Sequence, residues 1–149
     1  MLNDQLKLRG DVALVLKDKN GNVKEKREIK NLIVSTGLTF ICSRMAGTSA
    51  NVMSHMALGS GTTAAAAGDT DLGSILGSRE ALDSSTASSN TITYVSSFEA
   101  GEGTGAVTEA GIFNAATSGD MLCRTVFSVV NKEADDTMSV TWTITLTAS

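Results

Sequence analysis

Alternation of apolar and polar residues is the dominant signal in this chain. Between residues 137 and 146, Met138, Val140, Trp142, Ile144 and Leu146 fall on one parity. Thr137, Ser139, Thr141, Thr143 and Thr145 fall on the other. A strand turns successive side chains to opposite faces, so the run predicts one apolar face and one hydroxyl face. At the usual strand rise it spans about 33 Å, enough to cross a small domain. With the chain's only Trp at its middle, this run is expected to be the central core strand of an antiparallel β-domain.

The same pattern recurs upstream. Val12, Leu14 and Leu16 share a parity, and Asn20-Gly21 follows. Asn-Gly is a strong signal for a type I′ hairpin turn, which needs positive φ at both central positions. The charged residues 23–30 then return as an edge strand, where Lys discourages pairing with strangers. Residues 1–9 are polar and read as an N-terminal arm. Leu38, Ile41, Cys42 and Met45 recur at helical spacing after Ser35 or Thr36, either of which is a suitable cap, and Gly47 stands where the helix should stop. Further strands are expected at 52–58, 79–83, 91–99, 106–114 (broken by Gly111) and 121–130. Residues 59–77 form a small-residue loop with an Asp69-capped turn, and 84–90, 118–120 and 131–136 read as turns. The expected fold is mainly β: a jelly-roll-like antiparallel β-sandwich of seven or eight strands with one short helix packed on it. Trp142, Val140, Ile144, Phe127, Val129, Ile112, Phe98 and Ile41 should share its core.

Composition narrows the picture. The 149 residues fit one domain, here 10–149, and can bury a proper core. Aromatics at 4% leave that core mostly aliphatic. A net charge of −4 argues against nucleic acid, which demands clustered Lys and Arg. Lys24, Lys26, Arg27 and Lys30 are instead interleaved with Glu25 and Glu28. No apolar run reaches the length of a membrane span. The start, Met1-Leu-Asn-Asp-Gln, lacks the apolar stretch of a secretion signal, so synthesis in the cytoplasm is expected. Cys42 and Cys123 are then expected as two buried thiols rather than a disulfide.

No motif carries a reaction. Gly59-Ser-Gly61-Thr-Thr-Ala64 and Gly101-Glu-Gly103-Thr-Gly-Ala106 match a loose dinucleotide pattern. That pattern works only when a helix starts at the glycines. A strand follows the second, and Gly68 cuts short any helix after the first, so both read as turns. His55 is the only histidine, without a nucleophile and acid at supporting spacing. Asp69 and Asp71 lack the regular oxygens of a calcium loop. No catalytic, cofactor-binding or metal residue is assigned. Glu99, Glu102 and Glu109 lie close in sequence, but only Glu109 sits in an apolar strand. It is expected to pair with Arg79 or Arg124, fixing register more than adding stability.

The ordered set of segments resembles a family of small tailed-phage virion proteins. Its carriers are Asn31-Leu-Ile-Val-Ser-Thr-Gly-Leu, Met56-Ala-Leu-Gly-Ser-Gly-Thr-Thr-Ala, Asp69-Thr-Asp-Leu and Arg79. The series continues with Thr93-Tyr-Val-Ser-Ser-Phe, Gly105-Ala-Val-Thr-Glu-Ala-Gly-Ile-Phe, Met121-Leu-Cys-Arg-Thr-Val-Phe and Thr141-Trp-Thr-Ile-Thr-Leu. The likeness runs from about Val12 to the end. Members are often labelled phage structural or tail-fibre proteins. The resemblance implies no enzyme and no cofactor. It implies a virion component, made in the host bacterial cytoplasm, that binds the major capsid protein or tail components and copies of itself.

A decoration or cement protein on the capsid exterior is the preferred placement. The chain has no coiled coil, collagen-like run or repeat of the kind that long fibres use. A tail-fibre, baseplate or adaptor subunit is the alternative. A carbohydrate-binding module is the third, though sugar platforms need exposed aromatics. Residues 1–30 and the loops at 59–77 and 99–105 are the expected contact surfaces.

Overall fold

A computed structural model describes residues 5–48 and 50–148. Within them the chain is a β-sandwich of two five-stranded antiparallel sheets. The first sheet runs β2-β1-β10-β7-β6, from β1 (Leu6–Lys17), β2 (Val23–Lys30), β6 (Ser84–Ser88), β7 (Thr91–Phe98) and β10 (Thr137–Ala148). The second runs β3-β9-β8-β4-β5. It contains β3 (Leu32–Ile33), β4 (His55–Gly59), β5 (Glu80–Ala81), β8 (Gly105–Phe113) and β9 (Met121–Lys132). One helix, α1 (Ser35–Met45), follows β3.

The strand predicted to be central is β10, and it lies in the middle of its sheet between β1 and β7. Met138, Val140 and Trp142 are fully buried and Ile144 nearly so. They meet Val12, Leu14 and Leu16 of β1 and Tyr94 and Phe98 of β7. Across the sandwich stand Met56, Leu58, Val107, Ile112 and Val130 of the second sheet. Alternation therefore placed the inner face of the first sheet correctly. Its other face is the hydroxyl row, in which Thr143 lies opposite Thr93 and Thr93 opposite Thr86.

Several expectations need correction. Leu6–Arg9 are not an arm: they continue β1 and pair with the end of β10, from Leu6↔Ala148 onward. The rest of the proposed arm, residues 1–4, lies outside the described residues. Residues 84–90 are not one long turn. Ser84–Ser88 form β6, and only Ser89 and Asn90 turn the chain, with Ser89 at φ +53°. Hydroxyl residues suit an edge strand but show no apolar alternation to betray it. With the short β3, this raises the described strands to ten, above the expected seven or eight, while the strand expected at 79–83 shortens to Glu80–Ala81.

The helix faces another way than its spacing implied. Gly37 and Phe40 point inward, whereas Leu38 is 43% and Met45 84% exposed. Gly37 decides this, because a Cβ there would strike the backbone carbonyl of Leu122. The glycine lets the helix rest directly on β9. Neither Ser35 nor Thr36 caps it: Val34 holds the N-cap position, and the Thr36 hydroxyl donates to the Met121 carbonyl at 2.8 Å. Gly47, at φ +72°, ends the helix as expected.

Val129 is also misplaced, being 45% exposed. The β8–β9 ladder shifts register between Val107, which faces Val130, and Glu109, which faces Val126. Extra β9 residues bulge out there and Val130 takes the inward place. Phe127 and Ile41 pack on the core while only partly buried. Finally, Cys42 is exposed and only Cys123 is buried; both are free thiols.

Candidate functional site

The second sheet is buried on both faces, and this focuses attention on its outer side. Ala57, Phe113 and Met121 form a second apolar cluster with Val34, against which Leu72 packs. The cover is the loop between β4 and β5, the same small-residue stretch predicted from 59 to 77. An irregular peptide of this length, with little apolar content, must be held down by polar anchors.

The anchor is a buried ion cluster. Directly opposed residues of a ladder share a face, so Glu109 stands over Gly59 and Arg124 over Gly111. The Glu109 side chain is 0% and that of Arg124 3% exposed. Arg124 donates to Glu109 Oε2 through Nη2 at 2.7 Å and Nε at 3.2 Å. It also donates to Asp69 Oδ2 at 2.8 Å and to the Thr63 carbonyl at 3.0 Å. Glu109 in turn accepts the backbone N–H of Gly73 at 3.0 Å and of Ser74 at 2.9 Å. Two strand residues thus grip the covering loop at four points.

Local sequence makes room for this. A Cβ on Gly59 or Gly61 would collide with the Glu109 carboxylate, so the glycines of the first loose dinucleotide motif line a carboxylate rather than a phosphate. Burial pushes the Glu109 carboxyl up, but the Ser74, Arg124 and Gly73 hydrogen bonds outweigh it and the net direction is down. The Ala66 N–H and then Arg124 hold the Asp69 carboxyl low. The cluster is therefore ionised and mutually satisfied. Both Glu109 oxygens are engaged and sealed from solvent, which suits a fastening better than an acid–base pair.

Of the two arginines weighed as partners for Glu109, Arg124 is the one found. Arg79 lies instead 3.6 Å over the Phe113 ring and donates to the carbonyls of Ala115 and Ser118 at 3.0 and 2.6 Å. It seals the same outer face by stacking. Asp69 was weighed as the cap of the turn that follows it and as a cation ligand; its carboxylate instead accepts the Ala66 N–H at 2.9 Å and joins the cluster, a long-range contact with no local signal.

The remaining candidates disperse. Glu99 and Glu102 order the second glycine-rich turn, where Glu102 accepts the Glu99 N–H at 2.8 Å, and neither joins Glu109. Lys132 is buried and donates to the Glu99 carbonyl at 2.9 Å; burial lowers its pKa. Lys24 bonds Asp136 at 2.7 Å. Arg27 pairs with Glu25 and reaches the Ser128 and Val129 carbonyls. Lys24 and Arg27 of β2 therefore serve internal contacts. Ser54 Oγ and His55 Nδ1 share a hydrogen bond of 2.7 Å, but no carboxylate bonds the ring among the described residues. No grouping of metal-ligating side chains is found among the described residues, and no helix there is long and apolar enough to cross a membrane.

An apolar groove remains open beside the helix. Phe40, Ile41 and Met45 of α1 face Ile92, Tyr94 and Ile144 across a groove of about 370 Å³ at one end of the sandwich. Burial pushes the Tyr94 hydroxyl up to about 12. The fold and cluster together define a two-sheet antiparallel β-sandwich with a loop-covered outer face. No known protein family, curated protein or solved structure matches the chain.

Proposed function

We propose that this chain is a non-enzymatic structural protein of a tailed-phage virion, and within the particle a decoration or cement protein on the outside of the major capsid lattice. One observation carries the reading. The segments that resemble the phage family are scattered in sequence, yet several converge on a single cluster: Gly59, Gly61 and Thr63 from one, Asp69 from another, then Glu109 and Arg124. The parts of the resemblance that were weak alone are one physical unit, the device that fastens the covering loop to its sheet.

A fastened loop is what a particle subunit needs. A preorganised surface binds with less entropy lost on ordering, and particle symmetry repeats each contact many times. The β1–β2 hairpin and the outer surface of the 59–77 loop are the faces offered to capsid neighbours. Against a sugar-binding role, none of the six aromatic side chains is exposed: Phe40, Tyr94, Phe98, Phe113 and Trp142 are buried and Phe127 is half-buried.

The test is the protein's abundance in purified particles, read from a stained gel and quantitative peptide mass spectrometry. Copies on the order of hundreds per particle support the capsid placement, because a shell lattice repeats its site that often. A few copies to dozens move the protein to a fibre, baseplate or adaptor. Absence from particles, or turnover of a substrate by the purified chain, ends the reading.

A further inference from the structure

The two edges of the first sheet are built differently. At β2, Lys24, Glu25, Lys26, Arg27, Glu28 and Lys30 line the edge. Antiparallel self-pairing centred on the strand sets like charges opposite one another, as Arg27 against Arg27 with Lys24 against Lys30, or Lys26 against Lys26. Such an edge refuses a second copy. At β6 the sequence is Ser84-Ser-Thr-Ala-Ser88, every residue exposed, with no charge, no Pro and no bulge. None of the usual edge protections is present.

The register of β6 defines what would fit it. Ser88 and Thr91 flank a two-residue turn, so they form the first mutually bonded pair, and bonded pairs alternate along the ladder. Ser85 and Ala87 consequently turn their backbone N–H and C=O groups away from β7, toward solvent. An antiparallel second β6 with its two-fold axis at Thr86 places Ser85 opposite Ala87 of the partner subunit and Ala87 opposite Ser85 of the partner subunit. Every one of those outward groups then finds a partner. Thr86 meets Thr86 of the partner subunit as a close, non-bonded pair, an arrangement that Thr–Thr contacts favour.

The hydroxyl row supports the same register. Thr143, Thr93 and Thr86 lie side by side across the sheet, with Thr93 and Thr143 hydroxyls 3.5 Å apart. The row stops at Thr86 only because the sheet ends there. On the other face Ala87 lies opposite Ile92, which lines the open apolar groove beside α1. The pairing thus adjoins an uncovered apolar groove.

We infer that β6 is a self-association edge, through which two copies of this chain join their first sheets across a two-fold axis at Thr86. The inference rests on the edge itself and not on the virion reading, so either can fail alone.

The experiment uses the full chain. Sedimentation velocity over a dilution series should show a monomer–dimer equilibrium for the unaltered protein. Thr86→Lys sets two ammonium groups opposite each other on the axis and should leave only monomer, with circular dichroism unchanged because the residue is exposed. Thr86→Cys in a Cys42→Ser background should give a dimer under mild oxidation that thiol reduces. A protein monomeric at every concentration overturns the inference. So does a dimer that Thr86→Lys leaves intact, or a Thr86→Cys variant that stays uncrosslinked.

Discussion

Replacing Arg124 with Met is the sharpest test of the buried cluster. Arg124 and Glu109 are essentially sealed from solvent, while Asp69 keeps 26% of its side-chain surface. Arg124→Met fills similar volume but strips Glu109 of both guanidinium bonds, Asp69 of one, and the Thr63 carbonyl of its donor. Breaking a buried pair by removing one partner costs about 3–5 kcal/mol, chiefly for the charge left behind. Glu109 still accepts the Gly73 and Ser74 N–H groups, which puts the expected loss near the lower end, about 3 kcal/mol. Against a whole-domain stability of roughly 5–15 kcal/mol that is a large fraction. Glu109→Gln/Arg124→Met removes the orphaned charge, so the double variant should cost about 1–3 kcal/mol less than the sum of its singles.

Urea unfolding followed by fluorescence of the buried Trp142 reads the global term. Hydrogen exchange at the Gly73 and Ser74 amides reads the loop, which should open far more often in Arg124→Met. A loss below about 1 kcal/mol would place the pair among ordinary surface bridges. Additive singles would show that the two side chains do not act as a unit. Either result refutes the fastening argument.

Other outcomes follow from the same structure. The Glu109, Asp69 and Asp136 carboxyls all lie below their ordinary values in the fold. Their contribution is complete above the unfolded carboxylate range of about 4 and is lost as pH falls through the lower folded values; urea midpoints from neutral pH to about pH 3 should drop, less steeply in Arg124→Met. Gly37→Ala forces a Cβ against the Leu122 carbonyl and should cost about 1–3 kcal/mol by lifting α1 off β9, measured by the same unfolding. Cys42 should react with a thiol reagent in the native protein and Cys123 only on unfolding, since burial pushes the Cys123 thiol well up. Lys132→Met exchanges a buried, desolvated ammonium for an apolar stem and should leave stability within about 1 kcal/mol of the parent, in contrast to Arg124→Met.

What the sequence made legible was what period-two patterning can carry. Inner-face residues of β1, β7 and β10 were readable because that sheet has one apolar and one polar face. The second sheet was harder. β4 and β8 are buried on both sides, so apolar residues fall on both parities and alternation loses its phase. The break foreseen at Gly111 in β8 did not occur; the strand continues through it, and the missing side chain admits Leu72 and Phe113. The helix face went astray for a related reason. Hydrophobic spacing ranked Leu38 and Met45 above Gly37, yet close approach of backbone to backbone, not side-chain apolarity, orients α1.

The candidate site was half legible, and the boundary is instructive. A lone carboxylate in an apolar strand must be paired or neutral, so Glu109 announced that a cationic partner existed. Sequence narrowed it to two arginines. Register chose between them, because Arg124 lies one ladder step from Glu109 on the adjacent strand, whereas Arg79 falls where it covers Phe113. Asp69, Thr63 and the backbone of Gly73 and Ser74 left no such trace, since their roles depend on a loop returning over the sheet. Glycines at 59 and 61 carried a signal that was read only as a turn. They are instead the points where a rigid contact requires no side chain at all. A small-residue loop in this chain therefore marks close packing on a buried charge, and replacing either glycine by Ala should loosen the same Gly73 and Ser74 amides that Arg124→Met exposes.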